Sequence, residues 1–373
     1  MNQQETLYAI ALAQVSRLKD QDRNHLLDVF GSAKEVYEHR THLRDAIPEA
    51  SDALISTLGE MDLWLKRAEE ELAFMEKGGI VPLLRTAEDY PQRLLQCEDS
   101  PSLLYYRGNA PLNVRHVLSI VGTRQITAYG KDLCAQFVKD LRTLCPDIIV
   151  VSGLAYGVDI HAHRAALENG LPTVGVLAHG LEQIYPTMHR DTAVQMVHQG
   201  GLLTEYISCT NMDRRLFVQR NRIVAGMADA VLVVESAAKG GSLITASLAG
   251  DYNREVFAFP GRITDTYSAG CNKLIRLQQA QSIESAAQFV EAMGWETNAD
   301  RQRQATEGVQ QELFPELTLE QQKIMDTLLP VEGTPINVLA IKTGIPIQTL
   351  TSLLFSLEMI GLVKRMGGNS YRK

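Results

Sequence analysis

The chain has 373 residues, 45% of them apolar and 21% charged, with a formal net charge of −8. That length allows two or three domains and one large core, while the acidic balance excludes a broadly basic, histone-like binder of polyanions. Five scattered cysteines (Cys97, Cys134, Cys145, Cys209 and Cys271) form no CxxC pair, which fits a reducing cytoplasm and argues against a zinc ribbon or disulfide framework. The opening MNQQETLYAIALAQ lacks a basic n-region, and no apolar run reaches membrane-spanning length, so neither a signal peptide nor a membrane association is expected.

The charge is unevenly spread. Residues 1–114 hold 12 Lys+Arg against 19 Asp+Glu, residues 115–295 hold 16 against 16, residues 296–317 hold 2 against 5, and residues 318–373 hold 6 against 4. A neutral middle can carry a basic patch, because binding follows local potential rather than the total.

In chain order, residues 1–78 read as helical, with apolar residues at helical spacing in LYAIALAQVSRL, NHLLDVFGSAKEVY and MDLWLKRAEEELAFMEKGG and a stop at Gly78-Gly79. The segment is a SAM-like or helix-hairpin-helix-like unit, or an interaction or spacer module; its acidity favours the second reading, since acidic surfaces repel phosphate. A proline-punctuated lead-in with short strands follows. Then strand and helix alternate. The candidate strands are 117–121, 148–152, 173–178, 201–206, 230–235 and 255–260. Each is short, β-branched and apolar on both faces, as in a parallel sheet covered on both sides. Helices are expected at 129–144, 159–169, 190–198, 217–227 and 242–253. Repeated βα units of this kind give an α/β, extended Rossmann-like, mostly parallel sheet over residues 80–292.

Residues 293–317 are polar and read as a linker. Residues 318–373 follow the winged-helix plan, three helices and then a hairpin with Gly-Gly-Asn at its turn. That plan ordinarily reads duplex DNA with its third helix. Here the third candidate helix has no Lys or Arg, so protein contact and DNA contact both stand open.

Ligands of parallel sheets gather at the carboxyl ends of the strands. After 117–121 come Gly122, Thr123 and Arg124, a close-approach glycine, a hydroxyl and a forked guanidinium suited to phosphate. After 148–151 comes the small-residue turn Ser152, Gly153, Leu154, Ala155, Tyr156, Gly157, with Asp159 opening a helix whose free N–H groups favour an anion. After 230–235 come Lys239, Gly241 and Ser242, and Thr245 follows on the next helix. Pro260-Gly261-Arg262 ends the sixth strand. Arg220, Asn221 and Arg222 form a further cluster. On a helix the two arginines point to different faces, so one of them is expected to hold the helix to a neighbouring loop. Glu235 is expected to pair with Arg220 or Arg222. Several such loops along one edge suit a polyanion better than a mononucleotide. His161 and His163 diverge on a helix and do not chelate. HExxH, Walker A, GxGxxG after the first strand, and Ser–His–Asp or Cys–His arrangements are all absent from the sequence. Neither an enzyme nor a cofactor is required.

Four segments, SIVGTRQITAYG, VSGLAYGVDIHAHRAAL, FVQRNRIVAGMADAVLVVESAAKGGSLITA and EVFAFPGRITDTYSAGCNKLI, resemble the DprA/Smf family in order and spacing, over roughly residues 80–280. The resemblance implies a core that binds and protects single-stranded DNA, helps load the RecA recombinase in natural transformation, and forms a homodimer. It also implies DNA contacts at Gly122, Thr123, Arg124, Ser152, Gly153, Ala155, Gly157, Asp159, Arg220, Asn221, Arg222, Lys239, Gly241, Ser242 and Thr245. This chain departs from the family pattern at Phe217-Val218, where Phe-Pro is usual, and at Gly240-Gly241-Ser242, where Ser-Gly-Ser is usual. The alternative is a nucleotide-processing enzyme of the phosphoribohydrolase type on a related fold. Against it, Pro260-Gly261-Arg262-Ile263 lacks that group's paired glycines, threonine and glutamate, so the acid for glycosidic chemistry has no seat.

Overall fold

The computed structural model describes residues 3–298, 317–329, 333–366 and 370–373. Nine strands form one sheet: β1 (Val81–Leu84), β2 (Leu103–Gly108), β3 (His116–Val121), β4 (Ile148–Ser152), β5 (Thr173–Val176), β6 (Gly200–Thr204), β7 (Ala230–Val233), β8 (Glu255–Ala258) and β9 (Gln281–Ser282). Their spatial order is β1-β2-β6-β5-β4-β3-β7-β8-β9. The pairings from β6 across to β9 are parallel; β1–β2 and β2–β6 are antiparallel. The sheet therefore reverses direction of growth at β3, with β4 on one side and β7 on the other.

The central strands are buried along their whole length. Alternation divides their side chains between two cores. Val117, Val121, Ile149, Val151, Val231 and Val233 pack on one face; Leu118, Ile120, Ile148, Val150 and Leu232 pack on the other. Helices cover both. Phe137 and Leu141 of α7 (Ala128–Leu144), Ala162 of α8 (Val158–Glu168) and Phe289 of α14 (Ala286–Ala292) join the second core. Ile223 of α11 (Asn221–Gly226), Ala249 of α12 (Gly241–Asp251) and Leu274 of α13 (Ala269–Arg276) join the first. Burying each such aliphatic side chain stabilises the fold by about 1.5–3 kcal/mol. The remaining helices of this region are α6 (Gln92–Leu95), α9 (Arg190–His198) and α10 (Arg214–Gln219).

Five helices precede the sheet: α1 (Gln3–Ala13), α2 (Asp20–Phe30), α3 (Ala33–His39), α4 (Asp52–Leu58) and α5 (Met61–Gly78). Gly79 ends α5 in the left-handed conformation, φ 61°, where its N–H reaches back to the helix. Leu12, Leu26, Val36, Leu43 and Leu58 form the core of this segment. Ile10 and Met75 join Leu103, Tyr105 and Ile207 of the sheet region. Polar ties add to this. Asn24 Nδ2 donates to Ser100 O at 3.0 Å, Arg67 to Ser208 O at 2.8 Å, and Ser208 N to Glu71 Oε1 at 3.0 Å. The helical segment and the sheet form one compact unit, Met1–Gln302.

Four of the expected strands end two residues early, at Val176, Thr204, Val233 and Ala258. One more backbone bond persists beyond three of them (Leu177 N to Leu203 O, Val234 N to Val121 O, Phe259 N to Val233 O) before the chain turns away. The expected helix 217–227 is two short helices, α10 and α11, which meet at Arg220.

The second unit, Arg303–Lys373, contains α15 (Leu319–Thr327), β10 (Thr334–Pro335), α16 (Ile336–Thr343), α17 (Ile347–Met359), β11 (Lys364–Met366) and β12 (Ser370–Arg372). A capping box starts α15: Gln321 N donates to Thr318 Oγ1 and Thr318 N to Gln321 Oε1. Ile324, Leu339, Leu350, Leu354, Leu357 and Tyr371 make the core. An antiparallel sheet of order β10-β12-β11 forms the wing. The strand β10, between the first two helices, is an addition to the expected plan. The Gly-Gly-Asn turn and most of the expected linker lie outside the described residues.

Candidate nucleic-acid interface

The loops that follow β3, β4, β7 and β8 stand side by side because their strands do. They are bonded to one another. Thr123 N donates to Glu235 O at 2.7 Å, Val158 N to Thr123 O at 3.1 Å, and Ser236 N to Tyr267 O at 2.6 Å. The Tyr267 hydroxyl also meets the Gln125 side chain. Gly157 has φ 77°, and a Cβ there would lie 2.1 Å from Thr123 O, so the junction of the first two loops admits only glycine.

In the first loop, Gly122 and Thr123 are half-buried and Arg124 is exposed. The loop ends on Thr127, which caps α7 by accepting from Gly130 N at 3.0 Å. Glu235 does not pair with Arg220 or Arg222. Its carboxylate accepts from Thr127 N at 2.8 Å and from Thr127 Oγ1 at 2.6 Å. β7 lies beside β3, so its end reaches the start of α7 and not the α10–α11 junction.

The second turn is built round Asp159. Its carboxylate is buried, accepts from Ala155 N at 3.2 Å and faces the Arg220 guanidinium. A Cβ at Gly153 would fall 2.4 Å from Asp159 Oδ2 and 2.5 Å from Arg220. Burial pushes the Asp159 carboxyl above its ordinary range, against the pull of Arg220, and burial likewise draws Arg220 below its own. Ser152 is buried and donates to Ile120 O at 2.6 Å. His163, beneath the turn, donates through Nε2 to Gly153 O at 2.6 Å, and burial lowers it to about 4. The amides of Thr123, Ala155 and Val158 are thus already engaged within the rim.

The two arginines diverge. Arg220 donates to the Val176 carbonyl at the end of β5, holding the α10–α11 junction over the strand ends. Arg222 points to the helical segment. It pairs with Glu205 and, at 3.1 Å, with Asp20 of α2. Burial works against the Arg222 charge, but Glu205 and Asp20 outweigh it and hold the guanidinium above its ordinary value. Asn221 accepts from Arg220 Nε at 3.4 Å. In the third loop Lys239 and Gly241 are exposed. Ser242 and Thr245 are buried, with their hydroxyls turned to Ser236 Oγ at 2.9 Å and Gly241 O at 3.4 Å.

The rim contains a pocket that sequence spacing did not reveal. It lies over the ends of β3, β4 and β5, one strand aside from the reversal between β3 and β7. Its lining includes Arg124, Tyr156, His179, Tyr185, Phe217 and Arg220. The rings of Tyr185 and Phe217 meet edge to face, 6.0 Å between centroids. The Arg124 guanidinium lies 5.9 Å from the Phe217 centroid. Tyr156 packs against His189 at 5.2 Å, and His189 Nδ1 donates to Leu154 O at 3.0 Å. Tyr156 and Tyr185 are 45% and 46% exposed, so much of each ring is open to a ligand. A tyrosine inside a glycine-bounded turn was the available signal for the first. Aromatic faces beside the exposed Arg124 guanidinium suit stacked bases with phosphates alongside. Among the described residues no group of three or more His, Cys, Asp or Glu is placed to hold a metal ion.

A nine-stranded, largely parallel sheet with arginine- and tyrosine-bearing loops at its strand ends, and a winged helix after it in sequence, define a two-part α/β protein. Residues 82–294 match the family model for DNA recombination-mediator protein A, and residues 311–369 match the DprA winged helix domain. The chain belongs to the DNA recombination-mediator protein A family, also called DprA/Smf. It is 32% identical to Protein Smf of Escherichia coli over 315 residues, covering 82% of this chain and 81% of that protein. It is 35% identical to DNA processing protein DprA of Bacillus subtilis over 235 residues, 63% of this chain and 78% of that one. The structure of DNA processing protein A from Streptococcus pneumoniae superposes with a TM-score of 0.63 at 29% identity, covering 77% of this chain and 97% of that one. DNA processing protein A from Helicobacter pylori, whose structure describes that protein's single-stranded DNA binding mode, gives a TM-score of 0.52 at 29% identity, covering 57% and 95%.

Proposed function

We propose that this protein binds single-stranded DNA along the carboxyl rim of its sheet, acting by binding rather than by catalysis. The observation that carries the reading is the meeting of Arg124 with the rings of Tyr156, Tyr185 and Phe217 in one pocket. A base stacks on the rings while the flanking phosphates meet Arg124 and, further along the rim, Lys239 and Arg262. Gly122 and Gly157 let backbone approach backbone, and Gly153 leaves room for the Asp159 and Arg220 side chains that hold the turn. The family membership and the Helicobacter pylori relative support the same reading. Protection of incoming DNA, loading of the RecA recombinase during natural transformation, a homodimer built through the core and a cytoplasmic location are the finer parts of this proposal. They rest on the family.

The test is a gel shift with single-stranded and duplex oligonucleotides of one sequence at two salt concentrations. Tighter binding of the single strand, weakening as salt rises, is expected. Equal affinity for the duplex would remove the reading.

A further inference from the structure

We propose that His179 is a base-reading residue, whose free ring nitrogen accepts the Watson–Crick imino N–H of an unpaired base held in the rim pocket. The proposal rests on the single-strand reading above and adds to it a chemical reason for rejecting paired DNA.

His179 follows β5, in the segment that leaves the sheet at Leu177. It is 1% exposed and lines the pocket together with Arg124, Arg220 and the aromatic rings. Its backbone is anchored, since Thr204 Oγ1 donates to His179 O at 2.9 Å. Its ring is anchored too. Nδ1 lies 2.9 Å from Gly180 O, and a carbonyl only accepts, so Nδ1 carries the proton. In the neutral ring Nε2 is then a bare acceptor. It is buried and has no hydrogen-bond partner among the described residues. Several buried side-chain atoms among the described residues share that condition, but His179 alone of those residues lines this pocket. A buried acceptor without a partner costs about 1–3 kcal/mol, so a ligand that supplies the missing N–H recovers that cost.

Beside that acceptor the pocket carries the exposed Arg124 guanidinium, the Tyr156 and Tyr185 rings with their hydroxyls, and the buried Arg220. The complementary edge has an N–H next to a carbonyl oxygen, which is the Watson–Crick edge of thymine and of guanine. In a duplex that N–H is already given to the opposite base. The imino N–H can therefore reach an acceptor fixed in this pocket only from a base without a partner.

The experiment measures the affinity of the full chain for a thymidine homopolymer and for the same oligomer carrying N3-methylthymine, which keeps the ring and the charge but lacks the N–H. The wild-type protein is expected to bind the methylated oligomer about fivefold or more weakly. His179→Phe is expected to bind the two alike. Equal wild-type affinities overturn the proposal without recourse to any variant. A His179→Phe protein that still discriminates also overturns it, because the methyl group is then excluded by bulk alone. Failure of the wild type to bind even the unmodified oligomer removes the single-strand reading itself, a result the two oligomers keep separate from failure of the His179 assignment.

Discussion

Glu235 holds Thr127 with both of its carboxylate oxygens, one on the backbone N–H at 2.8 Å and one on the hydroxyl at 2.6 Å. An acid at the end of β7 thereby fixes the start of α7 and the loop that carries Arg124. Near a polyanion its charge is repulsive, so its value is positional. Glu235→Ala leaves the Thr127 donors without partners and is expected to cost about 1–3 kcal/mol of stability. DNA affinity is expected to fall as well, although a negative charge has been removed. Denaturant melts and a gel shift on the same preparation check both effects, and a rise in affinity would show that repulsion outweighs positioning.

Arg124 is exposed, and its contact with the Phe217 ring, at 5.9 Å, lies at the limit of cation–π range. Arg124→Ala is expected to leave the melting midpoint unchanged and to weaken single-strand binding across all sequences. The slope of log affinity against log salt should become shallower by about 0.7 for each phosphate contact removed. An unaltered slope would place the phosphate elsewhere on the rim.

Arg222 should behave in the opposite way. Its side chain is 12% exposed and pairs with Glu205, itself 13% exposed, and with Asp20. Arg222→Met strands Glu205 and is expected to cost about 3–5 kcal/mol. The molecules that remain folded should bind DNA as before. A stable variant with weakened binding would mean that Arg222 touches the ligand.

His163 makes stability depend on acid. Burial lowers its folded value to about 4 from an ordinary 6.5, so between those limits the unfolded chain carries a proton that the folded chain lacks. The stability gained by keeping the ring neutral is complete above pH 6.5 and is lost as pH falls to about 4. The loss amounts to about 3 kcal/mol at most. Denaturant midpoints measured across that range should fall more for the wild type than for His163→Gln. Parallel falls would assign the acid sensitivity to other groups.

The positions of the parallel strands were legible because runs such as VLSIV and IIVVS are apolar on both faces, which only a doubly covered sheet accommodates. Their ends were not. Leu177-Ala178 and Val234 continue the apolar pattern, yet the chain turns into the rim after one more backbone bond. Composition does not mark where a neighbouring strand stops offering partners. The break at Arg220 was hidden for a similar reason, since the residue that draws its guanidinium aside, Val176, is 44 positions away.

For the site, the position of Arg124 directly after a buried strand was enough to single it out. The spacing of Arg220 and Arg222 correctly implied divergence, but their partners, Val176, Glu205 and Asp20, come from distant segments. Glu235 was misassigned on the same ground. Its true partner depends on β7 lying beside β3, and strand order is invisible to local pattern. Tyr156, the segment from His179 to Tyr185, and Phe217 enter the pocket from three separate stretches of chain, so no single window of sequence displays it.

The mutual suspension of the rim loops has a thermodynamic corollary. Because Thr123, Val158 and Ser236 already spend their amides on adjoining loops, little backbone ordering remains to be done when a strand arrives. Association then forfeits mainly the conformational freedom of the nucleic acid itself, and length of oligomer, more than any rearrangement of this polypeptide, should govern how the affinity grows.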